Sequence, residues 1–183
     1  MERLLIHIPI IHSQADMGSL QETTEERAAV TGLWQLIENT LCSFELPFER
    51  VRLYQDGLPV SDMEEQIVRD VAAQGSLNHR LLLRLMEQGA SLMGTESPAL
   101  LLEEYQFCKQ QGQRPQAAEA NIARHAQSLL DRRDGFIAER INNTLGAGEI
   151  GILFLGALHR PEKWLAEDIR VLHPFQFSDP AGA

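Results

Sequence analysis

The sequence predicts an α/β fold: a mainly parallel sheet of about five strands with helices on both faces. Two short runs dense in β-branched and aliphatic residues, 4–11 and 150–155, have the composition of strands covered on both sides. Longer stretches between the strand-like runs carry apolar residues at helical spacing. Those stretches are long enough to act as the crossover connections that parallel neighbours require.

The elements follow in chain order. Ile6, Ile8, Ile10 and Ile11 mark the first strand, and residues 13–19 with Gly18 form a polar loop. A helix over 23–42 is expected, because Glu25 and Glu26 favour its positive end and Val30, Leu33, Trp34, Ile37 and Leu41 share a face. A second strand at 51–54 ends in Gln55-Asp56-Gly57 and then Pro59, which is turn chemistry. Ser61 with Glu64 makes a capping box for a helix to about Ala73, and a second helix runs from about Ser76 to Glu87, where Gly89 stops it. Residues 90–93 are a short third strand, and Ser97-Pro98 opens the next helix with proline in its first turn. After the linker-like residues 112–115, a long helix at 117–145 carries Ile122, Ala126, Leu129, Leu130, Ile137, Ile141 and Leu145 on one face. The strand at 150–155 is followed by a short helix at 162–167 and a last strand at 169–172. One domain over 1–177 is expected, with a frayed tail at 178–183.

Composition narrows the function. The chain has 183 residues, 44% hydrophobic and 23% charged, which is the make-up of a globular domain with a real core. Its 26 acidic against 16 basic residues give a net charge of −10, and that average field repels nucleic-acid backbones and anionic membranes. Two cysteines, Cys42 and Cys108, cannot build a disulfide framework or a four-thiolate zinc site, so a reducing cytoplasm is expected. Both lie inside amphipathic helical stretches, where burial is the expectation. The first apolar run is interrupted by His7 and Pro9 and lacks the layout of a secretory signal, and no later run approaches the ~20 residues of a membrane span. A soluble protein is expected. Trp34 and Trp164 are read as core residues.

In an open parallel sheet the C-terminal strand ends lie along one edge, and ligands bind in the crevice outside it. Four of the expected strands end in polar residues: His12, then Gln55 and Asp56, then Glu96, then His159. Imidazoles and carboxylates scattered in sequence would thus converge. Arg133 and Asp134 sit level with the apolar stripe of the long helix, and a buried charge needs a partner. Counting back from Leu145, Arg133 falls toward the same edge as His159, where it pairs with Asp134 or reaches the crevice. His7 reads as a core or edge imidazole, His79, His125 and His173 as surface residues, and Arg132 and Arg140 as exposed charges. No phosphate loop and no Gly-x-Ser-x-Gly elbow is present.

Residues 133–141, Arg-Asp-Gly-Phe-Ile-Ala-Glu-Arg-Ile, and 151–159, Gly-Ile-Leu-Phe-Leu-Gly-Ala-Leu-His, resemble the C-terminal half of the TraB/Tiki and erythromycin-esterase-like superfamily. Pro9-Ile10-Ile11-His12 stands where that superfamily has a first strand ending in Gly-x-x-His. The resemblance is specific for about the last third of the chain and weak elsewhere. It implies a hydrolase, with His12 and His159 as pocket histidines, Arg133 as an anion-orienting group and Glu96 as the acidic residue. Beside a purely structural or interaction module, for which a wide apolar surface patch and no crevice are expected, two functions remain open. In one, a small hydrolase uses His12, His159, Asp56 and Glu96 to hold Mn, Co or Zn, and acts on a small anionic or ester- or peptide-like ligand. In the other, Pro9 in place of glycine and Gln55-Asp56 in place of a glutamate mark a relative that binds ligand without catalysis.

Overall fold

The computed structural model describes residues 2–10, 24–111 and 119–175. It contains the predicted α/β architecture, a five-stranded sheet in the order β3-β2-β4-β1-β5 with every pairing parallel. The strands are β1 (Arg3–Ile10), β2 (Val51–Gln55), β3 (Ser91–Met93), β4 (Ile150–Gly156) and β5 (Ile169–Leu172). Between them come α1 (Thr24–Ser43), α2 (Glu64–Ala73), α3 (Leu77–Glu87), α4 (Pro98–Gln111) and α5 (Glu119–Thr144). The loop expected at 13–19, the linker at 112–115 and the tail at 178–183 lie outside the described residues, as does His12.

Side-chain alternation along the strands splits the core in two. Ile6, Ile8 and Ile10 of β1, Leu53 of β2, and Ile152 and Phe154 of β4 pack with Trp34, Ile37, Val68, Leu81, Leu82 and Leu85 of α1, α2 and α3. Leu5, Tyr54, Leu153 and Leu155 point the other way and meet Ile137, Ile141 and Leu145 around α5. Gly151 lets α5 sit close to β4, since a Cβ there would lie 2.6 Å from Leu5 Cδ1 and 3.4 Å from Leu145 Cδ2. The chain after β1 leads to α1 on the first face. The chain after β4 leads to the 3-10 helix Pro161–Trp164, which packs against α5 on the second. Neighbouring strands whose connections leave on opposite faces open a crevice at their C-terminal ends, and here the neighbours are β4 and β1.

Several expectations are corrected. Cys42 and Cys108 are free and exposed, because the amphipathic face of each helix turns elsewhere. Trp164 is 39% exposed and lies under the Lys163 ammonium, 4.1 Å from its ring centre, instead of in the core. The apolar stripe of α5 is buried only from Leu129 onward, while Ala126 is exposed. Arg140 is half-buried and donates to the carbonyl of Gly94 at 3.2 Å. The short helix is a 3-10 turn ending at Trp164. Among the described residues no helix is long and apolar enough to cross a membrane.

Candidate functional site

Asp56, Glu96, Arg133, Asp134 and His159 meet at the C-terminal edge of the sheet, on the α5 face. Each arrives by a definite route. Asp56 is the first residue after β2, and its own amide is tied to the carbonyl of Phe154 in β4 at 2.8 Å. Its Oδ2 accepts the Gly156 amide at 3.0 Å, so this carboxylate bridges two strand ends. Glu96 follows β3 and is clamped by a two-way backbone link. Its amide donates to Leu58 at 2.9 Å and its carbonyl accepts from Val60, also at 2.9 Å. Gly94 permits that link, since a Cβ there would lie 2.6 Å from Val60 Cα. Thr95 supports the same corner by accepting the Gln55 amide at 2.9 Å, and Asn78 holds the Gln55 side chain, also at 2.9 Å.

Arg133 and Asp134, adjacent on α5, take different partners. The Arg133 guanidinium donates to Glu96 through Nε (3.1 Å) and Nη2 (2.5 Å), to Asp56 through Nη2 (2.9 Å) and to Glu104 through Nη1 (2.6 Å). It does not pair with Asp134. Asp134 Oδ1 instead holds His159 Nδ1 at 2.5 Å, and its Oδ2 accepts the Arg160 amide at 2.7 Å. The turn after β4 is thereby fixed to the helix, and His159 Nε2 is left 3.9 Å from Asp56 Oδ1. That separation is too long for a hydrogen bond. A tautomer with Nδ1–H donating to Asp134 would turn an Nε2 lone pair toward the Asp56 carboxylate, an arrangement that a proton, a donor or a cation could bridge.

The site is nearly dry. Glu96 is fully buried, Asp134 is 1% exposed, and His159 and Arg133 are 5% and 6% exposed. Burial pushes the Glu96 carboxyl above its ordinary value, with the charge of Asp56 adding to the rise and Arg133 opposing it. Burial alone would lower the Arg133 pKa, but its hydrogen bonds and ion pairs with Glu96, Asp56 and Glu104 outweigh that and raise it. Formally, Asp56, Glu96, Glu104 and Asp134 set four negative charges against one guanidinium. The balance invites a further cation. One ligand atom each from Asp56, Glu96 and His159 lies within 4.8 Å of the other two, and two carboxylates with an imidazole are a fitting donor set for a divalent ion.

Of the residues expected from the sequence, Asp56, Glu96, Arg133 and His159 therefore come together. Two contributors are not evident from the sequence: Asp134 as the group that orients His159, and Glu104 as an Arg133 partner. Glu104 stands seven residues past Ser97 on a helix whose mixed pattern of apolar and polar residues does not tell its facing. Comparisons of the chain with protein-family models, with characterised proteins and with solved structures return no match.

Proposed function

We propose that this edge of the sheet is the site of a small hydrolase, acting in the cytoplasm on a small anionic or ester- or peptide-like ligand. The observation that carries the reading is the Asp134–His159 pair aimed at Asp56. A buried carboxylate that fixes the tautomer and orientation of an imidazole leaves the far nitrogen able to take a proton from water or return one to a leaving group. Asp56, Glu96 and His159 are the residues that would hold a divalent ion, and the carboxylate-rich donors lean toward Mn. Such an ion supplies Lewis acidity and lowers the pKa of a coordinated water. Arg133, with N–H groups committed to these carboxylates, acts as a positioning residue that fixes Asp56 and Glu96 in place and opposes the rise of the Glu96 pKa. Exposed free thiols suit a reducing compartment, and the net charge of −10 argues against a nucleic-acid partner.

A second reading, ligand binding without catalysis, is favoured by one feature: Arg133 already neutralises part of the charge that a metal would neutralise. The test is hydrolysis of chromogenic carboxyl esters and amides, with and without added Mn, Co or Zn, by the wild type and by His159→Ala. Loss of general acid–base help lowers the rate by about 100-fold or more. Equal rates in the two proteins remove the hydrolase reading and leave the binding one.

A further inference from the structure

A second cluster of ligating groups lies on the same face of the sheet, at its β5 side, and shares no side chain with the Asp56, Glu96 and His159 set. His7 interrupts an otherwise aliphatic strand. It projects away from Ile6 and Ile8, toward the short 3-10 helix. The parallel register that matches Ile6 with Leu172 brings His173, the next residue, beside it. The two imidazole rings are 5.1 Å apart, centre to centre. Glu162, in the first turn of the 3-10 helix, reaches down with Oε1 2.7 Å from His7 Nδ1 and 3.9 Å from His173 Nε2. One ligand atom from each of the three lies within 4.8 Å of the other two.

The His7 ring is also short of partners. The His7 side chain is only 8% exposed, and its Nε2 is buried with no hydrogen-bond partner among the described residues. A buried polar atom left unsatisfied costs about 1–3 kcal/mol and calls for an explanation. The three side chains grade from 8% exposed at His7 through 28% at Glu162 to 45% at His173, an order that runs from the floor of a site to its mouth. They line a cavity of about 570 Å³ together with Pro9, Arg160 and Phe175.

We propose that His7, Glu162 and His173 form a binding site for a divalent transition metal of the zinc class, distinct from the Asp56, Glu96 and His159 set. Two imidazoles and one carboxylate are the ligand complement of open zinc sites, which keep a position for water or an exchangeable ligand. Imidazole-rich donors select Zn or Co over the Mn and Mg that carboxylates suit. Among the described residues Arg160 is the only arginine or lysine on the lining, and its Nη1 is turned onto the carbonyls of Ala157 and His159, at 2.6 Å each.

The experiment is a Co(II) titration followed through the visible d–d absorption of the bound ion, on tag-free wild type, His173→Ala and His159→Ala. His173 is exposed enough that its replacement leaves the fold intact, and a circular-dichroism melt checks this. The wild type should develop the bands of an imidazole-ligated ion, and a competing Zn titration should erase them. His159→Ala should retain them, and His173→Ala should bind Co(II) at least about tenfold more weakly, the lower end of what even outer ligand contacts are worth. Absence of the bands in wild type, equal binding by wild type and His173→Ala, or loss of the bands in both variants would each overturn a separate site at these residues.

Discussion

Arg133→Met keeps most of the stem volume and deletes the charge that three carboxylates share. The loss is read from what remains. Glu96 is fully buried and loses both of its bonds to the guanidinium, while Asp56, 7% exposed at its side chain, loses one. Removing one partner of a buried pair costs about 3–5 kcal/mol, because an uncompensated charge stays behind. For a domain of this size each kcal/mol moves the melting point by about 2–4 °C, so a fall of roughly 6–20 °C is expected. Urea unfolding at constant slope measures the same loss directly. The pH dependence adds a second mark. The folded-state pKa of Glu96 is raised above its unfolded value, so its protonated form favours the fold, and that contribution disappears as pH rises through the raised value. Without Arg133 the rise is greater, and the penalty of the variant should shrink as pH is lowered from 8 toward about 5, near the upper end of ordinary carboxylate titration. Adding Glu96→Gln to Arg133→Met removes the orphaned charge and should recover part of the loss. A change of no more than about 0.5 kcal/mol, the usual size for a surface substitution, or a loss independent of pH, would refute the reasoning.

Tyr54, buried with its hydroxyl 2.9 Å from Thr144 Oγ1, is pushed by burial from 10.0 up to about 12. Ultraviolet titration should show a step at about 12 that Tyr54→Phe abolishes, with the stability it reflects lost as pH rises from 10 through 12; a step already complete near 10 would contradict the burial. Gly94→Ala forces a Cβ to within 2.6 Å of Val60 Cα and disturbs the link that holds Glu96, so about 1–3 kcal/mol of stability should disappear in a denaturant melt. Unchanged stability would mean the β3 turn is softer than its packing indicates. Glu162 has a folded pKa below its unfolded one, so its contribution is present at neutral pH and lost as pH falls through the depressed value. Wild type should therefore exceed Glu162→Gln by about 1 kcal/mol at pH 7, with the two stabilities converging in acid; a gap that does not close would reject the His7 pairing.

The sheet was legible because its strands announce themselves twice, as β-branched runs and as runs that stop at Gly, Pro or Asp. Residues 150–155 illustrate both, and the right-handed crossover rule then leaves few topologies. The meeting of Asp56, Glu96 and His159 could also be anticipated, since a parallel sheet delivers its C-terminal ends to one edge whatever the sequence distance. What could not be read was pairing. Arg133 and Asp134 are neighbours in sequence, yet successive helical positions point about 100° apart and so serve different strands. The same reason hid the second cluster. His7 and His173 are abreast only because β1 and β5 are paired, and nothing local to either residue records that pairing. Cys42, Cys108 and Trp164 are exposed because the outer half of a helix, or a short turn at the rim of the sheet, has no second layer above it, and nothing local to those residues records that.

In the proposed hydrolase, Asp56, Glu96 and His159 form one reactive centre oriented by Asp134. Anomalous diffraction from crystals soaked in Mn(II) tests it most directly. A peak lying within coordinating distance of Asp56, Glu96 and His159, with His159 Nδ1 still on Asp134, is the result predicted. A fully occupied Mn elsewhere and none at these residues, with Arg133 still spanning Asp56 and Glu96, would contradict the metal-assisted hydrolase.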